Sequence, residues 1–248
     1  MRYFFLFKFY VLTFFRKLLS FVSGGETCLV CGKDSGIVPL CRDCIKSEYS
    51  VVNAMSFSVC RVCGKKLLVE KDICTICREN AVVESVDRVI SLYDYRLWNK
   101  DLLFLWKIMG LRGLSSLFAS FVFEAMNNAG ETVLVPVPPR RGKIRKKGWD
   151  QIDDLCMFLK YRYKVCVMPL LVRNTVSEQK KLDREGRLQS IGISYSLLEK
   201  EKLPKQMPKS VVVLDDIFTT GATVESCARV LKEGGVERVT ALTLFTAA

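Results

Sequence analysis

Beyond residue 80 the chain alternates short apolar runs with longer stretches whose apolar residues recur every three or four positions. Val86–Leu92, Thr132–Val137, Val165–Met168, Val211–Leu214 and Val239–Phe245 read as strands. Trp98–Met109, Leu114–Met126, Gln151–Tyr161 and Ala222–Glu233 read as amphipathic helices, the last closed by Gly234-Gly235. Strands that alternate with helices predict a parallel sheet flanked by helices, with ligands at the carboxyl ends of the strands. The polar stretch Arg173–Gln189 has little periodicity and reads as a mobile loop.

The first 80 residues follow other patterns. Residues 1–22 hold seven of the fifteen Phe and no acid, but Lys8 and Arg16 break the apolar run far short of the ~20 residues that span a bilayer. No transmembrane segment is expected, and Lys8 falls where a signal peptide needs its apolar core. From Val11 to Val22 the spacing is helical. Thr13, Arg16, Lys17 and Ser20 share one face, with Phe14, Leu18, Leu19, Phe21 and Val22 opposite. Such a helix either packs on its own protein or lies on a membrane surface. The organisation expected is a hydrophobic segment at 1–25, a cysteine module at 26–80 and an α/β domain at 81–248.

Composition narrows the function. With 248 residues, half of them hydrophobic and 26% charged, the chain can build a sizeable core and is not a disordered segment. It contains no histidine, which excludes Ser-His-Asp triads, Cys-His nucleophiles and His-ligated zinc. The net charge of +12 favours anionic partners: nucleic acid, phosphorylated metabolites or a membrane surface.

Eight of the eleven cysteines form CxxC pairs: Cys28-x2-Cys31, Cys41-x2-Cys44, Cys60-x2-Cys63 and Cys74-x2-Cys77. Each pair aims two thiolates at one point, and two pairs close a tetrahedral zinc site. Gly32 and Gly64 follow the leading pairs, where a tight turn needs a permissive backbone. The repeat predicts a small double zinc-ribbon module holding two structural zinc ions, rather than iron–sulfur clusters or redox dithiols. Sequential sites are favoured over cross-braced ones. Thiolates used in this way fit a reducing, cytoplasmic compartment.

The run Val211-Val-Val-Leu214-Asp215-Asp216-Ile217-Phe218-Thr219-Thr220-Gly221-Ala222-Thr223 carries the most chemistry. A strand delivers two adjacent carboxylates at an exposed end, placed to accept from neighbouring hydroxyls such as those of ribose. Thr219–Thr223 then opens a helix, where free N–H groups and a partial positive charge suit a phosphate. Six cations follow Val135-Pro-Val-Pro138: Arg140, Arg141, Lys143, Arg145, Lys146 and Lys147, with Trp149 beyond. They admit three readings: a solvated loop, a pyrophosphate clamp, or a contact to single-stranded nucleic acid with Trp149 stacking on a base. Arg173, Lys180, Lys181, Arg184 and Arg187 form a second basic segment, a plausible lid.

The acid–threonine run resembles the ribose-phosphate loop of type I phosphoribosyltransferases, whose ligand is phosphoribosyl pyrophosphate (PRPP). Together with the CxxC pairs, Lys107-Ile-Met-Gly110-Leu-Arg112, Lys147-Gly148-Trp149-Asp150-Gln151 and Arg173-x-Thr175-x3-Gln179-x2-Leu182-x4-Arg187, it is similar to the ComF family (ComFC/GntX-like, competence-associated), across roughly residues 14 to 248. The family usually has Phe-Asn-Gln at Trp149-Asp150-Gln151. The resemblance implies a type I phosphoribosyltransferase-like α/β fold behind the zinc ribbons. It also implies that Asp215 and Asp216 bind the ribose hydroxyls and Thr219, Thr220, Gly221, Ala222 and Thr223 the 5′-phosphate. Pyrophosphate would lie against Pro136–Arg141, hence Pro138, Arg140 and Arg141, with Mg2+ bridging ligand oxygens. The partners implied are PRPP and components of DNA uptake or nucleotide metabolism. Rival readings are a single-stranded-DNA accessory with a non-catalytic pocket, and a zinc scaffold for a helicase-like competence protein.

Overall fold

The computed structural model describes residues 11, 26–36, 38–56, 58–67, 71–79, 83–139, 148–174 and 195–247. The expectations for an N-terminal amphipathic helix and for the loop positions Arg140–Lys147 and Lys180–Arg187 lie outside these residues.

A five-stranded parallel sheet organises the fold. Its strands are β3 (Arg88–Asp94), β4 (Val133–Pro136), β5 (Cys166–Val167), β8 (Ser210–Phe218) and β9 (Arg238–Thr246), in the order β3-β9-β8-β4-β5. Side chains alternate across a strand, so each strand feeds two cores. Val212, Leu214, Leu242 and Leu244 face one side, packed with α4 (Trp98–Lys107), α5 (Gly113–Ala129) and α6 (Gln151–Tyr161). Val211, Val213, Val239 and Ala241 face the other, packed with Val224, Cys227, Ala228 and Leu231 of α7 (Ala222–Glu233).

The cysteine segment contributes a short hairpin, β1 (Glu26–Thr27) with β2 (Asp34–Gly36), and three short helices: α1 (Arg42–Glu48), α2 (Val51–Ser56) and α3 (Thr75–Glu79). It straddles the β3 edge of the sheet. Cys28, Cys44 and Tyr49 join the α5-side core, where the Tyr93 hydroxyl donates to the Tyr49 carbonyl (2.7 Å). Cys60, Cys63, Cys74 and Cys77 join the α7-side core beside Val86 and Val89. The chain leaving this segment is pinned to α7, because the Glu225 carboxylate accepts from the Glu84 and Ser85 N–H groups (both 2.9 Å) and from the Ser85 hydroxyl (2.6 Å).

Three expectations need correction. The strand expected at Val211–Leu214 runs on to Phe218, because β9 continues the ladder through Asp215↔Thr243 and Ile217↔Phe245. The paired acids are therefore within a strand rather than on an exposed end. Arg173, expected to start a loop, belongs to β6 (Leu171–Arg173), which pairs antiparallel with β7 (Tyr195–Leu197). The strand expected from Val86 begins at Arg88, since the Asp87 carboxylate turns to accept the Val239 N–H (2.7 Å).

Candidate functional site

A cavity of about 530 Å³ opens at the carboxyl ends of β4 and β8. Successive residues of β8 point to opposite faces, so the acidic pair splits around it. Asp216 turns to the α6 side and is 3% exposed. One of its oxygens, Oδ2, accepts from Gln151 Nε2 (2.6 Å) and from the Lys107 ammonium (2.7 Å). Asp215 is only partly covered and its Oδ1 accepts from the Asp216 N–H (2.8 Å). Burial and the neighbouring Asp216 charge push the Asp215 carboxyl up to about 7, against the opposing pull of that amide and of Lys107.

The strand then turns into α7 through Thr219-Thr220-Gly221. Gly221, at φ 77°, takes the left-handed conformation that a β-carbon would strain. No side chain caps α7 from Gly221, and the first helical N–H, of Ala222, reaches Thr220 Oγ1 at 3.5 Å. Thr219 and Thr223 line the cavity, as do Val137, Pro138 and Pro139 after β4. The structure thus brings together Asp215, Asp216, Thr219, Thr223 and Pro138, with Thr220, Gly221 and Ala222 in the same turn. Arg140 and Arg141 lie outside the described residues.

Several other lining residues had no role assigned from the sequence: Lys107, Asp150, Gln151 and Tyr195. Asp150 caps α6, accepting from the N–H groups of Ile152 (2.9 Å) and Asp153 (3.2 Å), and so fixes where Gln151 points. The Arg112 guanidinium lies over the Trp149 ring (5.5 Å) and is ion-paired with the buried Asp154. A β-carbon on Gly110 would meet that ring at 3.6 Å. The Lys107–Arg112 and Trp149–Asp154 stretches therefore interlock, which places Lys107 and Gln151 side by side. The signal was the motif itself, Lys107-x2-Gly110-x-Arg112 against Trp149-Asp150-Gln151. Tyr195, 5% exposed, has a hydroxyl without a hydrogen-bond partner among the described residues.

The chain is 26% identical over 238 residues to competence protein ComFC of Streptococcus pneumoniae, covering 94% of both chains. It is 23% identical over 210 residues to competence protein F of Haemophilus influenzae, covering 81% of this chain and 87% of that one. ComFC of Bacillus subtilis matches at 23% over 215 residues, 85% of this chain and 73% of the relative. The chain is thus similar over most of its length to competence proteins of the ComF type. No family model matches it. Competence association is the functional class these ComF relatives share in their names.

Eight of the cysteines gather into two groups, Cys28/Cys31/Cys41/Cys44 and Cys60/Cys63/Cys74/Cys77, with the sulfurs of each within 4.8 Å of one another. The grouping is sequential, not cross-braced. A tetrahedron with Zn–S near 2.3 Å has edges of about 3.8 Å. Cys31 Sγ to Cys41 Sγ is 3.7 Å and Cys63 Sγ to Cys74 Sγ is 3.8 Å, so both groups could hold zinc. The two leading knuckles repeat the same turn. The Gly32 N–H donates to the Cys28 carbonyl (2.8 Å) and the Gly64 N–H to the Cys60 carbonyl (2.7 Å), with both glycines at positive φ. Burial raises the Cys28 thiol, but N–H groups of Cys41, Cys31 and Val30 outweigh it and bring it down to about 6. Cys60 is lowered against its burial in the same way. Burial and neighbouring sulfurs push Cys44 and Cys77 up, so without a cation these thiols resist becoming thiolates together. A zinc ion held by four sulfur ligands would have no open position and would be structural.

No described helix is long and apolar enough to cross a membrane.

Proposed function

We propose that this chain binds PRPP with Mg2+ in the cavity above β4 and β8, as a cytoplasmic phosphoribosyltransferase-like protein of the ComF type serving DNA uptake or nucleotide metabolism. One observation carries the reading: a single cavity is lined by Asp215, Asp216, Thr219 and Thr223 at the uncapped start of α7. Its volume of about 530 Å³ is of small-ligand size.

In this reading the 5′-phosphate sits on Thr219–Thr223, taking first-turn N–H groups and threonine hydroxyls. The ribose diol donates to Asp215 and Asp216. Mg2+ prefers ligand phosphates with few protein carboxylates, which fits a cavity whose most buried acid is already paired. When bound, it neutralises charge on the leaving pyrophosphate. The chain's own residues orient the anomeric carbon and exclude water on the Val137–Pro139 side. Resemblance to type I enzymes extends this to attack by a nucleophile at that carbon.

Calorimetry with Mg-PRPP tests the reading. Wild type should bind it, and D215N/D216N should bind at least about tenfold more weakly, since each lost bond to a charged acceptor costs ~1.5–3 kcal/mol. Unchanged affinity in the folded double variant would overturn the site. Pyrophosphate release, with and without single-stranded DNA, separates turnover from a non-catalytic pocket.

A further inference from the structure

The described residues lining the cavity include three carboxylates, Asp150, Asp215 and Asp216, and two cations, Lys107 and Arg173. Among these groups a pyrophosphate is held by a cation that turns towards it. Arg173 is placed on the hairpin β6–β7, its guanidinium 5.7 Å from the Tyr195 ring. Lys107 stands at the end of α4, with its side chain about one-third exposed, whereas that of Asp216 is 5% exposed. Its ammonium and the Gln151 amide converge on the same Asp216 oxygen. Asp216 therefore keeps a donor if Lys107 leaves, and Lys107 has solvent-side room to leave.

Building on the PRPP reading, we propose that Lys107 reads the charge of the ligand. The ammonium is paired with Asp216; when a pyrophosphate enters, the ammonium transfers to it and Gln151 keeps its bond to Asp216. Phosphate oxygens are the stronger partner for an ammonium because the pyrophosphate carries several charges where Asp216 carries one. The exchange involves ion pairs only, with no bond made or broken. It converts the arrival of an anion into the release of Asp216 toward the ribose diol. Lys107 is thus a ligand-contacting residue of this site.

The test is a cycle of K107Q, D216N and the double variant, titrated by calorimetry with Mg-pyrophosphate and with Mg-PRPP. K107Q should weaken pyrophosphate binding about tenfold, the loss expected for one charge-assisted contact. D216N removes the Asp216 charge that competes for Lys107 and should tighten pyrophosphate binding several-fold, and this gain should vanish in the K107Q background. Equal tightening by D216N in both backgrounds would reduce its effect to removal of a negative charge and overturn the proposal. So would a K107Q variant that binds pyrophosphate like wild type. Should K107Q unfold by stranding the Asp216 charge, the double variant, which removes both charges, and K107R, which keeps one, carry the comparison: K107R should bind pyrophosphate about tenfold tighter than the double variant, and equal affinities would overturn the proposal. Wild type that takes neither probe refutes the PRPP reading itself; wild type that takes both, with variants unchanged, refutes Lys107 alone.

Discussion

Chelation should strip the two four-cysteine groups at very different rates. In the first, Cys31 is exposed and Cys41 half-buried, so a chelator reaches two of the four sulfurs directly. In the second all four cysteines are buried, packed with Val86 and Val89 at the start of the sheet. Reaching them means opening that packing. An extra opening cost of about 3 kcal/mol slows release by about 100-fold. All four ligands of the second group are part of the buried core against the sheet, so losing its ion should abolish the cooperative fold. The assay combines a metallochromic dye with circular dichroism. Two equivalents of zinc should leave in two phases, the first with sheet signal retained and the second together with unfolding. A single phase, a total near one equivalent, or eight thiols titrating freely in native protein would refute the reasoning.

Two further outcomes are expected. G64A forces a β-carbon to φ 73° and to within 3.0 Å of Ser91 Oγ and 3.1 Å of a Val89 methyl, whereas G32A at φ 71° meets nothing within 4 Å. Denaturant midpoints should show about 1–2 kcal/mol for G32A from backbone strain alone and about 1–3 kcal/mol more for G64A from overpacking; equal losses would contradict the docking of the knuckle on β3. The raised Asp215 carboxyl binds its proton more tightly folded than unfolded, so its contribution is full below about pH 4 and is lost as pH rises through about 7. Urea midpoints at pH 5 and 7.5 should fall further for wild type than for D215N, and parallel behaviour would sink that assignment.

The parts legible in the sequence are those fixed by nearby residues. Helix α6 starts and ends as read, because Asp150 caps it locally. Helix α7 does too, between Gly221 and Gly234. The cysteine groups were legible because each knuckle is its own turn, repeated. Long-range partners were not. Only the β9 ladder shows that β8 continues through Asp215 and Asp216, and no local pattern says that the last residue of α4 meets a strand over 100 positions away. Burial of Asp216 followed from that meeting: a carboxylate enters the core only where a cation and an amide await it.

The position of β9 bears on how the chain is made. Strands β3 and β8 are neighbours in space only through β9, which hydrogen-bonds to both. A ribosome that has produced β3 and its helices holds an unpaired edge until residues 238–246 emerge. The cysteine knuckles, complete by Cys77, are made long before, and they cover the other edge of β3. Val89 gives its N–H to the Arg61 carbonyl (3.0 Å). The segment made first thus caps the outer edge of the strand whose sheet partner is made last.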